Sequence, residues 1–350
     1  MSTTTTTTTS PSTSRCVGYT VLLSSFVAIS SLGVAFDLER GAEPVLKLFW
    51  KTSGSCALLL LLVLGQRMLH RSSSALSFDR DTVRRLVLCA VGYTIWNASF
   101  NWALARTSVG HVYLLNNCHS LLLVVWRALY CDAIVLYEIL GTVAGIGGSV
   151  LTALDQAPVV AHSGIVEASL LGDLGAFLGA LGAVVYLLQA KTLRTRLGLL
   201  PFMLCHTLLV SLLLLPTLTL LGEEYSLSRD VNTGLFGWAN LRWDRVGLEA
   251  FVVLICDFVG GMGYIRVMAY FDPLVVSIIM LMEPILATAL GILVGVASIP
   301  GVLTCVGSAI VIAATMLVIS VNTAASSKGA KTTKRIVLQS RAPPTVYGAV

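Results

Sequence analysis

Ionisable residues fall deep inside apolar runs of this sequence. Asp257 lies ten residues into the run 247–270, Glu283 ten into 273–296, His119 ten into 109–130, and Lys51 six into 45–65. A charge at the centre of a membrane helix costs about 2.5–3.5 kcal/mol on insertion scales, so each needs a partner, a cavity or a function. Ten residues of helix rise roughly 15 Å, too deep for an aspartate to reach the interface, so Asp257 is expected to be paired or to face a water-filled cavity. Lys47 and Lys51 stand one turn apart around Trp50. Lys47 is placed to snorkel to the interface, whereas Lys51 is deep enough to meet an anionic substrate or to pair with Asp257 or Glu283. Pro284 follows Glu283; proline removes a backbone hydrogen bond and bends the helix, freeing a carbonyl near the carboxylate. His119 has Asn116 about one turn before it and Tyr113 a turn before that. Tyr93, Asn97 and Asn101 repeat every four residues and so share one helix face. Buried amides need partners, so that face must look into a bundle or a cavity.

These residues suggest solute binding. The expected lining is Lys51, Asn97, Asn101, Asn116, His119, Asp257 and Glu283. Lys51 would recognise an anionic group, Asp257 and Glu283 would bind a proton or a substrate amine, and the amides and His119 would orient the solute. Arg266, nine residues from Asp257, is out of phase with it, and snorkelling explains it about as well as substrate binding does. The sequence has no G-x-x-x-x-G-K-[ST] loop, no H-E-x-x-H and no G-x-S-x-G elbow, so ATP-driven transport and a nucleophile or zinc enzyme are not expected. The eight cysteines make no C-x-x-C pair, which argues against a disulfide framework or zinc site. No catalytic residue, metal or cofactor is expected. Gly260-Gly261-Met262-Gly263 sits inside an apolar run and reads as packing or a hinge. The sequon Asn97-Ala-Ser99 is discounted because it is mid-helix.

The elements that must position these groups are membrane helices. The 350 residues are 56% hydrophobic and 12% charged, with mean hydropathy +0.85, far from the roughly 25% charge of soluble domains. Ten apolar segments are long enough to cross a bilayer: about 17–36, 45–65, 86–105, 109–130, 134–154, 170–190, 199–221, 247–270, 273–296 and 301–321. Pro44, Pro201 and Pro273 sit where helices would begin, a position proline tolerates. Gly141-x-x-x-Gly145, Gly175-x-x-x-Gly179 and Gly291-x-x-x-Gly295 are read as helix packing, and Trp238 and Trp243 as headgroup-level aromatics. Arg67, Arg71, Arg80, Arg84 and Arg85 lie between the second and third segments, and Lys191, Arg194 and Arg196 between the sixth and seventh. Lys328, Lys331, Lys334, Arg335 and Arg341 lie in the C-terminal tail. All fall on one side of a ten-span chain, which the positive-inside rule makes cytosolic, with both termini. The net charge of +5 is thus a topology signal and not a nucleic-acid footprint. The polar start, MSTTTTTTTSPSTSR, lacks the charged region of a cleavable signal peptide.

The chain also echoes itself. Shifted by 164 residues, LARTSVGHVYLLNNCHSLLLVVW falls on MAYFDPLVVSIIMLMEPILATAL, and His119-Ser120 falls on Glu283-Pro284. With five spans per half the second copy enters the membrane inverted, an arrangement that frames a mid-membrane site in many carriers. The domain reading is a disordered tail 1–16, a first repeat 17–154, a linker 155–169, a second repeat 170–321 and a basic tail 322–350. Three segments carry a family resemblance: NWALARTSVGHVYLLNNCHSLLLVVWR (101–127), GDLGAFLGALGAVVYLL (172–188) and YFDPLVVSIIMLMEPILATALGILV (270–294). Over about 17–321 the chain resembles the drug/metabolite transporter superfamily, in particular its EamA-like members, with Pro273, Glu283 and Pro284 matching the family's pattern. Ser120 stands where the family commonly has proline, so the first half is expected to lack the kink that Pro284 gives the second. The glutamate often found before the last helix is missing. The resemblance implies an all-α membrane protein that moves small organic solutes such as amino acids, metabolites, nucleotide sugars or drugs, as an exchanger or with proton coupling. Expected partners are a small-molecule solute and the lipid bilayer, with a homodimer left open and no nucleic acid. The alternatives are a non-transporting sensor or assembly factor on the same scaffold, and a membrane-embedded enzyme. Plasma membrane and endomembrane are not distinguished.

Overall fold

The computed structural model describes residues 11–39, 41–69, 78–104, 106–107, 109–130, 136–154, 160–161, 164–165, 169–240, 242–295 and 299–318. Arg71, the linker acids Asp155 and Glu167, the tail basic residues, and the segments 1–10 and 319–350 lie outside them. Among the described residues the fold is helical, with one short antiparallel pairing of Val160–Ala161 (β1) with Gly164–Ile165 (β2) and an isolated bridge between Ser226 and Gly234. The helices are α1 (Pro11–Leu38), α2 (Pro44–Leu69), α3 (Arg80–Leu104), α4 (Val109–Asn117), α5 (His119–Leu129), α6 (Leu136–Leu154), α7 (Leu170–Leu197) and α8 (Leu199–Leu221). They continue with α9 (Trp243–Phe251), a π-helix (Val252–Gly261), α10 (Met262–Val267), α11 (Pro273–Met280), α12 (Glu283–Val294) and α13 (Val302–Val318). Among the described residues six helical stretches are long and apolar enough to cross a membrane, the pattern of a multi-pass membrane protein. Helix α1 begins at Pro11, ahead of the expected residue 17, because proline is well suited to a first turn.

Helices α3 and α7 run antiparallel and are clasped at both ends. Arg196 donates to Asp81 Oδ2 at 2.7 Å at one end, and Thr107 Oγ1 donates to Asp173 Oδ1 at 2.7 Å at the other. Between the clasps a Cβ on Gly182 would come within 2.6 Å of the Gly92 carbonyl oxygen, and one on Gly92 within 2.8 Å of the Gly182 carbonyl oxygen. The two backbones meet where neither residue has a side chain. Gly175 and Gly179 extend this contact against Trp102 and Asn116. Gly295 plays another part. It is the left-handed cap of α12, φ 81°, with open space around it, so the second glycine of that pair ends a helix instead of packing one.

The bundle has a basic end, with Arg67, Arg80, Arg84, Arg85, Lys191, Arg194 and Arg196, and a far end at Leu38 and Pro44. At the far end Glu223 accepts from the Val45 and Leu46 amides at 3.2 and 3.1 Å, capping the positive end of α2 from another loop. Burial raises the Glu223 carboxyl above its ordinary pKa and those two amides pull it back. Trp50 Nε1 donates to the Gly234 carbonyl at 2.7 Å and pins the 222–242 loop over the bundle. Trp238 belongs to this cap. Its ring lies beside Gly54 and its Nε1 is buried, so it packs on the helices rather than resting among headgroups. The Trp243 side chain is outside the described set.

Two membrane-length helices are broken near their middles. Helix α11 stops at Met280, and α12 starts at Glu283 with proline in its first turn. The first-half counterpart is broken as well, at Cys118 between α4 and α5, which corrects the expectation of an unkinked segment. Side chains there do what proline does in the second half. His119 Nδ1 lies 2.8 Å from the Asn116 carbonyl and Ser120 Oγ donates to the Asn117 carbonyl at 3.1 Å, competing with the backbone for those acceptors.

Candidate functional site

Lys51 is 2% exposed. Its Nζ lies 3.4 Å from Asp257 Oδ1 and donates to Tyr93 Oη at 2.8 Å, tying α2 to α3 and to the π-helix. The π-helix packs closely on α1, where a Cβ on Gly260 would approach the Ile29 backbone nitrogen to 2.8 Å. Wider coiling of this kind is rare and concentrates at functional sites. Here it sets the Asp257 carboxylate beside Lys51, with Gly261 leaving room for it; a Cβ there would lie 3.0 Å from Oδ1. Among the outcomes open for Lys51, pairing with Asp257 is the one observed. Both charges are thereby occupied, so an anion-binding role for Lys51 loses its free cation.

Beside the pair lies a cavity of about 220 Å³. Six of the seven expected residues line it: Lys51, Asn97, Asn101, Asn116, His119 and Glu283. Asp257 instead faces a separate pocket of about 20 Å³ with Thr52, His206 and Thr207, room for about one water. The stripe Tyr93, Asn97 and Asn101 faces the main cavity as its spacing required. Asn97 Nδ2 donates to the Tyr93 carbonyl at 3.0 Å and Asn101 Nδ2 to the Asn97 carbonyl at 2.8 Å, so one donor on each amide is already used. Arg266 does not line it.

The wall holds unsatisfied polar atoms. Ser30 Oγ, Asn116 Oδ1 and His119 Nε2 are buried without a hydrogen-bond partner among the described residues; Tyr264 Oη and Glu283 Oε1 are buried too, with the Tyr264 hydroxyl close to the Glu283 carboxyl, and all five residues line this cavity. Native interiors leave few such atoms, and each calls for a reason. Aromatic rings complete the site. Trp96 lies 5.8 Å from the His119 ring, Tyr93 5.1 Å from both Tyr186 and His206, and Phe100 5.2 Å from Tyr113.

Sequence reasoning missed several of these. His206, buried mid-helix in α8, was legible by the same rarity that marked His119. Tyr264 and Ser30 gave no signal, because hydroxyls in apolar runs are common and only the fold shows theirs at the cavity wall. Glu39 was also missed. Its two carboxylate oxygens are buried without a partner among the described residues, just beyond α1 at the far end. Burial first, and then the Glu249 carboxylate, push its pKa up to about 8 against the pull of Lys47 and Arg245. Lys47 does not snorkel to the interface with a free head group: its Nζ donates to the Phe36 carbonyl at 2.6 Å.

No protein-family model and no curated protein matches the chain. A solved structure described only as "Crystal structure of protein" superposes with a TM-score of 0.65 over 88% of this chain and 97% of its own, at 16% identity. That likeness is one of fold alone.

Proposed function

We propose that this chain is a secondary carrier of a small organic solute, of the metabolite, amino-acid or nucleotide-sugar kind. It works by alternating access, as an exchanger or with proton coupling. The reading takes the fold as ten membrane spans in two inverted halves, 17–154 and 170–321, resembling EamA-like transporters, with both termini cytosolic. The observation that carries it is the cavity: its wall draws Ser30, Asn116 and His119 from one half and Tyr264 and Glu283 from the other, each contributing a buried polar atom. The matched helix breaks support the repeat, since His119 and Glu283, 164 residues apart, each open the second stretch of an interrupted helix. Irregular backbone at membrane depth is tolerated where it lines a cavity. A non-transporting sensor on the same scaffold draws on the Lys51–Asp257 pair, since a paired interior is what that reading expects.

Reconstitution separates the two. Purified protein in liposomes should show saturable counterflow of at least one solute in a screen of amines, amino acids, nucleotide sugars and organic acids, run with and without a pH gradient. Absence of flux for every solute would overturn the carrier reading.

A further inference from the structure

The donors and acceptors of the cavity wall are unevenly matched, and the imbalance says what belongs there. The Asn116 carbonyl can only accept, so His119 Nδ1, 2.8 Å away, carries the ring hydrogen. In the neutral ring Nε2 is then a bare acceptor, and it is buried and unpaired. Asn116 Oδ1 is an acceptor in the same condition, and Glu283 Oε1 is buried with the Tyr264 hydroxyl close to its carboxyl. The wall thus presents three acceptors short of donors, while its Ser30 hydroxyl can turn either way.

Charge points in the same direction. Among the described residues lining the cavity the one cation is Lys51, matched by Asp257 and hydrogen-bonded to Tyr93. Glu283 has no cation within ion-pair distance among the described residues. A buried carboxylate with no compensating charge takes up a proton instead, so an ionised Glu283 needs a cation that the described residues do not supply. The surrounding aromatic faces, Trp96 and Phe100 among them, favour a cation as well. The volume, about 220 Å³, corresponds to about seven waters at roughly 30 Å³ each, enough for a solute of amino-acid size.

We infer that the cavity binds a small protonated amine with an apolar body, its ammonium donating to Glu283, His119 Nε2 and Asn116 Oδ1. The inference rests on the carrier reading for its cavity, but binding and flux can fail separately. An anionic solute would set its charge against Glu283 and find Lys51 occupied. A neutral alcohol would supply one donor where three acceptors wait.

Three probes of matched size isolate the charge: benzylamine, benzyl alcohol and benzoate. Binding is read on the purified full chain by quenching of tryptophan fluorescence, to which Trp96 in the wall contributes, and by thermal stabilisation. Flux is read as counterflow in liposomes. Benzylamine should bind saturably and benzoate should not. Glu283→Gln should weaken amine binding about 100-fold, the upper range for a hydrogen bond to a charged group. Glu283→Asp should keep part of the affinity, and Asn116→Leu should lower it about tenfold, which guards against a glutamine variant that merely misfolds. Preference for benzoate, no amine binding, or equal amine affinity in folded Glu283→Gln would overturn the inference. Benzoate counterflow alone would overturn it while leaving a carrier. Amine binding with no flux of any solute would overturn the carrier and leave the amine site standing.

Discussion

At the scale of residues, the Lys51–Asp257 pair is the most consequential contact in the bundle. Two charges out of water hold together only because each satisfies the other, with Tyr93 Oη completing the lysine's shell. Removing one partner leaves a buried charge with nothing opposite it, at a cost of about 3–5 kcal/mol, whereas replacing both by apolar groups is often neutral or stabilising. Asp257→Asn should therefore lower the unfolding midpoint in detergent sharply, and Lys51→Met with Asp257→Leu should restore most of it. A double variant as unstable as the sum of the singles would mean the pair is not coupled. Glu39 offers a second test. Its folded-state pKa is raised from 4.5 to about 8 by burial and by Glu249, with Lys47 and Arg245 acting against the rise. The stability tied to its protonation is complete below pH 4.5 and is lost as pH climbs through about 8. Melting temperatures should fall across that window, and Glu39→Gln should flatten the profile. A variant with the same slope as the parent would assign the effect elsewhere.

At the scale of elements, the contact of α3 with α7 depends on two glycines. A methyl group on Gly182 would need to occupy space 2.6 Å from the Gly92 carbonyl oxygen and 2.8 Å from the Trp96 nitrogen. Both are backbone atoms that no rotamer change can move. Gly182→Ala should cost about 1–3 kcal/mol, the usual penalty of overpacking, read as a lower melting temperature; an unchanged melt would show that the helices stand further apart. This contact was legible only in part. Small residues in α7 announced close packing, but Gly92 stood outside any repeated glycine pattern. Helix positions were plain because apolar runs of bilayer length have few other uses, and the Tyr93–Asn97–Asn101 stripe fixed a face. Depth along a helix does not fix rotation or neighbours, so Lys51 stayed open between Asp257 and Glu283. The π-helix was hidden for the same reason, since it packs on a distant part of the chain, Gly260 against Ile29. The break at Cys118 was hidden because two ordinary side chains, His119 and Ser120, take the carbonyls that a proline would have freed.

At the scale of the whole molecule, the cavity lies nearer the far end. Its wall reaches Phe36 and Asn101, close to the far ends of α1 and α3. Toward the basic end stands a packed core of Leu193, Leu197, Met203, Leu274 and Ile278. Beyond that core, Arg196 reaches Asp81 at 2.7 Å and Lys191 reaches Asp272 at 2.8 Å, joining α7 to α3 and to the start of α11. On the proposed carrier reading, these contacts must part for solute to leave at the basic end. Both pairs are about half exposed, so each is worth at most about 1 kcal/mol, or roughly a fivefold shift between the two states. Cys89, wholly buried between α3 and α7 with its Sγ 3.9 Å from the Tyr186 carbonyl, reports on that parting. In a background where the other cysteines are serine, Asp81→Asn with Asp272→Asn should speed maleimide labelling of Cys89 from the basic side by about 5- to 25-fold. Bound benzylamine should slow the labelling if it favours the state described here. Labelling unchanged by the double substitution, in a protein that still transports, would show that the clasps are surface ion pairs with no part in closing that end.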